Sequence, residues 1–511
     1  MLEVFSVSAL CLAAGHFAIP PFRSQLLLVG SAVFLLATVV WYVLKRGFWQ
    51  SAMLLLVLSH FCYGNGSGGL WNFWALAAIM GTLLWLPRVR ALHRDRLLKG
   101  DGLTFLFVLV LLISNVLGWV LKNPAPLWIL IQGASPLLAY LLVFWKLSRT
   151  PVTPARVHLF LALTAVMAVW MLAVGVTQRA GLNSINSPIF GYYDPTIATS
   201  RHADEYSRAD TSLFDHSELY GEYAALVLIL FLPFLMTRAQ QSFRAVTFLA
   251  VLVSAGNILL SSSRSCVVIS FLGLLLTVIA MRHARLLRAE SYMRILLSIV
   301  AVAVFVAWTG DYFGFNVVTN KFTGTSSQSL TLEGVLTGSS INREVVFQTG
   351  FNRLRKESWW VGYGSGLPDY NLAAWTGSTS GLVLGSRGWT QLADLHSQYM
   401  QAVILNGWIG TAAYCGLLIL PLLRLARSLP RVAAAGETGT LAIGLGVCFA
   451  VFLVDQYKIA ALRSMNYQML HWIWLGIAHA TTRALLTSPA RGVVYVFKTF
   501  PGNCAGGDLW R

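Results

Sequence analysis

Residues 103–121, LTFLFVLVLLISNVLGWVL, carry no charged side chain, and apolar runs of similar length recur along the whole chain. An α-helix rises about 1.5 Å per residue, so roughly 20 such residues cross about 30 Å of bilayer hydrocarbon. Hydrocarbon offers no partner to a backbone amide or carbonyl, so a spanning segment has to be a helix or part of a closed barrel. Continuous apolar runs, as opposed to two-residue alternation, select helices. They place spans at about 3–20, 25–44, 50–66, 69–87, 103–121, 126–145, 158–176, 220–236, 243–260, 262–281, 294–310, 396–422, 438–455 and 466–486. The predicted fold class is all-α, a polytopic transmembrane helix bundle of about 14 spans within a range of about 12–14.

Composition agrees with that class. Of 511 residues, 56% are hydrophobic and 11% charged, where a soluble domain has roughly a quarter charged. The first run lacks a positive leader and a small-residue cleavage pattern, so it reads as a retained helix rather than a signal peptide. The formal net charge of +17 does not indicate nucleic-acid binding, because no soluble basic face with stacking aromatics accompanies it. The charge instead marks loops on one side of the bundle, from Lys45-Arg46 through Lys146, Arg149 and Arg156 to Arg424, Arg427 and Arg431. Under the positive-inside rule that side is the cytoplasm, and both termini fall there. The six cysteines show no CxxC or other ligand spacing, so neither a disulfide framework nor a metal site is expected.

Two loops on the other side are long, at about 177–220 and 311–395. Long connections of this kind usually carry function, and their aromatic content weighs against plain disorder. Within the second, 341–358 has the pattern of a short amphipathic helix with Phe347, Phe351 and Leu354 on one face. Arg264 stands between two apolar runs in SSSRSCVVISFLGLLL, and Arg343 opens the amphipathic stretch. The planar fork of arginine suits phosphate and pyrophosphate, which it can grip through two parallel charge-assisted hydrogen bonds. His396 opens the run HSQYMQAVILNGWIG; an imidazole with an unperturbed pKa near 6.5 can act as a general base at neutral pH. Asp394 is a plausible N-cap for that helix, which would put His396 in the first turn, where the helix dipole favours the neutral ring. By position alone, a surface histidine and a snorkelling arginine are equally ordinary explanations.

The order and spacing of four elements resemble the O-antigen ligase and polymerase superfamily. They are Ser263-Arg264 before an apolar span; Asn342-Arg343 in the large loop; Gly362, Gly364 and Gly366 in VGYGSG; and His396, Tyr399, Gln401, Gly407 and Gly410 in the H-x-x-Y-x-Q helix. These motifs cover about residues 218–425. Two positions depart from the family pattern: Ser397 stands where Asn is common, and Asn406 where an acidic residue is common. The resemblance implies a metal-independent, inverting glycosyltransferase of the bacterial inner membrane, with its active site facing the periplasm and no cofactor. Its donor would be a glycan on undecaprenyl pyrophosphate, and its acceptor a lipid A-core sugar, the end of another polysaccharide or a protein hydroxyl. Carried over by position, Arg264 and Arg343 bind the pyrophosphate and stabilise the leaving group, and His396 activates the acceptor hydroxyl. Ser263, Tyr399, Gly364 and Glu218 are the further substrate-binding candidates, with Tyr220 beside Glu218 on the acceptor path.

This reading divides the chain into N-terminal helices with the first periplasmic loop (1–219), a ligase-like region (220–425) containing the loop 311–395, and C-terminal helices with a tail (426–511). The span count leans toward a polymerase, but the histidine motif is shared by ligases. From a different class, a transporter or lipid-linked-glycan flippase would require charged residues deep within several spans.

Overall fold

The computed structural model describes residues 48–60, 101–122, 127–179, 212, 214, 217–237, 241–261, 263–287, 360–364, 384–385, 388–389, 397–457 and 465–487. Among them are ten α-helices: α1 (Phe48–Ser59), α2 (Gly102–Leu121), α3 (Leu127–Arg149), α4 (Pro154–Arg179), α5 (Ser217–Met236), α6 (Gln241–Ser261), α7 (Arg264–His283), α8 (Gln398–Val432), α9 (Glu437–Asp455) and α10 (Met465–Thr487). A two-residue antiparallel pairing, β1 (Leu384–Gly385) with β2 (Gly388–Trp389), leaves the class all-α. Seven of the described helices are long and apolar enough to cross a membrane: α2, α4, α5, α6, α7, α8 and α9. The span expected at 50–66 is described over the 12-residue α1 and His60, and its remainder, 61–66, lies outside the described residues. The spans expected at 3–20, 25–44, 69–87 and 294–310 lie outside the described residues, as do the amphipathic stretch 341–358 and most of the loop 311–395.

Two helices form the axis of the bundle. α5 and α9 are buried over most of their length and pack on each other, while α6 and α7 lie against α5, and α8 and α10 against α9. α2 packs on α8 and α3 on α10. The outer helices leave apolar side chains uncovered, such as Phe105 and Val120 on α2 and Phe248 and Leu252 on α6. That is the surface a bilayer would cover, since lipid is as apolar as leucine.

Because successive helices alternate in direction, the chain's polar groups collect at two ends. One end is basic. There the Asp101 carboxylate, just ahead of α2, accepts from the Arg424 guanidinium of α8 at 2.5 Å and from the Thr104 hydroxyl at 2.6 Å. Arg483 of α10 lies 3.6 Å from its other oxygen. At the same end His158 of α4 meets Glu437 of α9 at 2.9 Å and stacks on Phe243 of α6. Burial alone would push the Asp101 carboxyl up, but the Thr104 hydrogen bond and the Arg424 charge outweigh it and hold the group below the usual carboxylate range. A carboxylate held low stabilises the fold above its unfolded value of about 3.9 and loses that contribution as pH falls through the depressed one.

Removing one partner of a buried ion pair typically costs about 3–5 kcal/mol, so Asp101→Ala should lower the thermal stability of the detergent-solubilised protein markedly at pH 7. The difference from wild type should shrink as the pH is taken toward the depressed pKa of Asp101. An unchanged melting temperature at pH 7 would show that the pair does not hold α2, α8 and α10 together.

Candidate functional site

At the opposite end, α8 is broken. Gly407 has φ 66° and ψ −179°, so Gln398–Asn406 and Trp408–Val432 are two limbs rather than one helix. This backbone region is essentially open only to glycine. A break frees the carbonyls of the preceding turn, which in a membrane need partners. They find them in the described part of VGYGSG. The Tyr363 N–H donates to the Ile404 carbonyl at 2.9 Å and the Gly364 N–H to the Leu405 carbonyl at 2.7 Å, while the Ser114 hydroxyl of α2 donates to the Asn406 carbonyl. The approach is so close that a Cβ on Gly362 would overlap the Leu405 carbonyl and one on Gly118 would overlap the 362–364 backbone. The glycine spacing thus lets a loop backbone lie flat between two helices. Asn406 accepts through its side-chain oxygen from Asn115 at 2.9 Å.

A second junction lies at the other end of the first limb. Ser397 is the N-cap of α8, in extended conformation, and Gln398 is its first helical residue. The expected start near Asp394 is therefore corrected: position 396 precedes the cap instead of lying in the first turn. The Gln398 N–H donates to the Gln456 carbonyl at 2.9 Å, and the Tyr399 hydroxyl donates to the Leu453 carbonyl. First-turn N–H groups and last-turn carbonyls have no partner within their own helices, so the start of α8 and the end of α9 complete one another. The Gln456 side-chain amide donates to Glu222 of α5 at 2.9 Å, and α10 packs against α9.

α7 begins beside this junction. Ser263 is its N-cap and Arg264 its first residue. The Ser263 N–H donates to the Ser261 hydroxyl at 3.4 Å, and the Ser263 and Ser265 hydroxyls lie 3.1 Å apart. Gly221 of α5 sits against this turn, where any Cβ would meet Ser261 and Cys266. Glu218, half-buried in the first turn of α5, places its backbone carbonyl 3.6 Å from the Cys266 sulfur. The starts of α5, α7, α8 and α10 thus gather around the end of α9, and helix N-termini carry partial positive charge that favours an anion.

Of the residues singled out from sequence, Ser263, Arg264, Glu218 and Tyr399 fall at this end, with Gly364 at the break one limb away. His396 and Arg343 lie outside the described residues. Tyr399 has its hydroxyl proton engaged by a backbone carbonyl. Tyr220 is fully buried, and its hydroxyl donates to Asn257 of α6 at 2.5 Å, whose amide donates to the Ala168 carbonyl of α4 at 3.0 Å. It ties three helices together and does not line an open path. Sequence reasoning missed Glu222 and Gln456, which meet at this end. The available signal was Glu222 itself, the third residue of the expected span 220–236 and its only charged one; an ionisable residue inside a span is a functional candidate by default. Among the described residues, no three His, Cys, Asp or Glu side chains are grouped to hold a metal ion.

Residues 248–415 match the family described as O-Antigen ligase. The match covers about a third of the chain, from α6 to the middle of α8, and supports assignment to the O-antigen ligase and polymerase superfamily. No curated protein matches the chain closely. The matched segment contains both the start of α7 and the break at Gly407.

Substituting Gly407 should therefore damage the site's frame. Gly407→Ala forces a side chain into a conformation costing about 1–3 kcal/mol, and its Cβ would also overlap the Trp360 carbonyl. We expect reduced yield of folded protein and increased protease sensitivity around 360–364; wild-type behaviour in both would mean the break is not needed.

Proposed function

We propose that this chain is a metal-independent, inverting glycosyltransferase of the bacterial inner membrane. It would transfer or polymerise a glycan carried on undecaprenyl pyrophosphate, at the periplasmic face. The observation that carries the reading is the convergence of the starts of α7 and α8 on the end of α9. One start bears Arg264, the other directly follows His396 in sequence, and both lie with Arg343 in the segment that matches the O-antigen ligase family.

The chemistry needs little else. His396 takes the proton of an acceptor hydroxyl, whose oxygen attacks the anomeric carbon of the donor sugar from the face opposite the phosphate. The bond from that carbon to the phosphate oxygen breaks, and its electron pair leaves with undecaprenyl pyrophosphate. Arg264 and Arg343 hold the pyrophosphate and stabilise the charge it gains, as preorganised donors do. Helix N-termini at the same end favour the same anion. The donor is already activated, so positioning and charge stabilisation suffice without a nucleotide or redox cofactor. Glu218 and Ser263 stand beside the start of α7, where they can contact donor or acceptor sugars. The acceptor is a lipid A-core sugar in a ligase or the end of a second polysaccharide in a polymerase. The basic end of the bundle faces the cytoplasm.

The test is a purified preparation given a labelled lipid-linked oligosaccharide and separate acceptors. His396→Ala should lower turnover by roughly 10²–10⁴, the usual contribution of a general base. Arg264→Ala and Arg343→Ala should each cost about 10²–10³, as loss of a charge-stabilising donor does. Full activity in all three variants removes this site. The alternative reading, a transporter or lipid-linked-glycan flippase, predicts that the donor crosses a vesicle membrane with no glycosidic product formed, and the same preparation distinguishes the two.

A further inference from the structure

Glu222 is completely buried one turn into α5, and Gln456, the first residue beyond α9, is 1% exposed. A charged or polar group in such a place usually marks a job, because leaving it without partners is costly. The two are joined by the hydrogen bond from the Gln456 side-chain amide to Glu222 at 2.9 Å. The backbone carbonyl of the same Gln456 receives the Gln398 N–H, also at 2.9 Å. One residue therefore links the interior of α5 to the first residue of α8. Consecutive Cα atoms are about 3.8 Å apart, so position 396 is tethered within two such steps of Gln398.

We infer that Glu222 and Gln456 form a positioning pair, which fixes the start of α8 and thereby the placement of the candidate base for the transfer reaction. Neither is a catalytic residue; both act through the backbone at 397–398. The inference rests on the proposed function for its catalytic consequence, but its structural half stands by itself. The pair also accounts for why the N-cap of α8 makes no side-chain capping bond: the helix start is held by the carbonyl of a neighbouring helix end.

The experiment uses the full chain in detergent or nanodiscs, with Gln456→Glu, Glu222→Ala and the exchanged double variant Glu222→Gln/Gln456→Glu. Gln456→Glu removes the amide donor from which Glu222 accepts, whereas the exchange restores one donor and one acceptor. Hydrogen–deuterium exchange over 397–405 should speed up in the two single variants and return toward wild type in the exchanged one. With the lipid pyrophosphate donor, Gln456→Glu should lower kcat roughly 10- to 100-fold, the effect of a misplacement near 1 Å, while KM for the donor stays within about threefold. The exchanged variant should recover kcat. Unchanged exchange over 397–405 in both single variants overturns the inference, as does a loss of kcat that the exchanged variant fails to recover. If Gln456→Glu does not insert stably, the exchanged variant decides: protection at 397–405 supports the pair, and its loss overturns it. Should wild type consume no donor, the proposed function falls, while the exchange data still decide whether the pair holds α8.

Discussion

The break in α8 requires the most of its surroundings. A helix that crosses hydrocarbon satisfies its own backbone, and one that stops and restarts at Gly407 leaves a turn of carbonyls to be paired elsewhere. Here the pairing comes from the loop backbone at 363–364 and the Ser114 hydroxyl of α2. Those three bonds explain why glycines recur at 118, 362, 364 and 407, since backbone can meet backbone only where no Cβ intervenes. The break also shortens the first limb to Gln398–Asn406, a stub that would be marginal alone and is held at both ends. Its far end is pinned by the loop and α2, and its near end by the last turn of α9.

The two ends of the bundle solve different problems with similar means. At the basic end an ion pair between Asp101 and Arg424, with Thr104 and Arg483 alongside, ties together helices distant in sequence. At the other end the ties are mostly between a side chain or N–H and a carbonyl, and of the buried carboxyls Glu222 and Asp455, Glu222 is met by the Gln456 amide. The α5–α9 axis between the ends is apolar, which keeps the polar chemistry at the surface of the bundle.

Much of the helix inventory was legible because a spanning run has to be long and uncharged, and no tertiary contact can relax that requirement. The described helices from α2 to α10 fall within a few residues of the expected spans, except that α8 runs to Val432, ten residues past the expected end at 422, and α3 and α10 are less uniformly apolar than the seven. The start of α8 was misjudged because Asp394 has the chemistry of a cap, yet the cap is Ser397 and the helix start is satisfied by Gln456, 58 positions away in sequence. Tyr220 looked like a site residue because it stands beside Glu218, but side chains two apart on a helix point to different sides, and its hydroxyl belongs to the contact with α6. Glu222, one helical turn from Glu218, was the residue with the stronger claim.

The sequence by itself determined the all-helical, membrane class of this protein, most of its described helices and the superfamily that the family match to 248–415 supports. All of these follow from hydropathy, charge and spacing, which are properties of the chain read in one dimension. Only the tertiary structure decided that residues 361–364 lie on a broken helix, that Tyr399 and Gln398 lock onto the end of α9, and that a buried Glu222 stands behind that lock. Hydrogen-bond partners are chosen by which backbone groups a fold leaves unsatisfied, and those groups become neighbours only after the helices have packed.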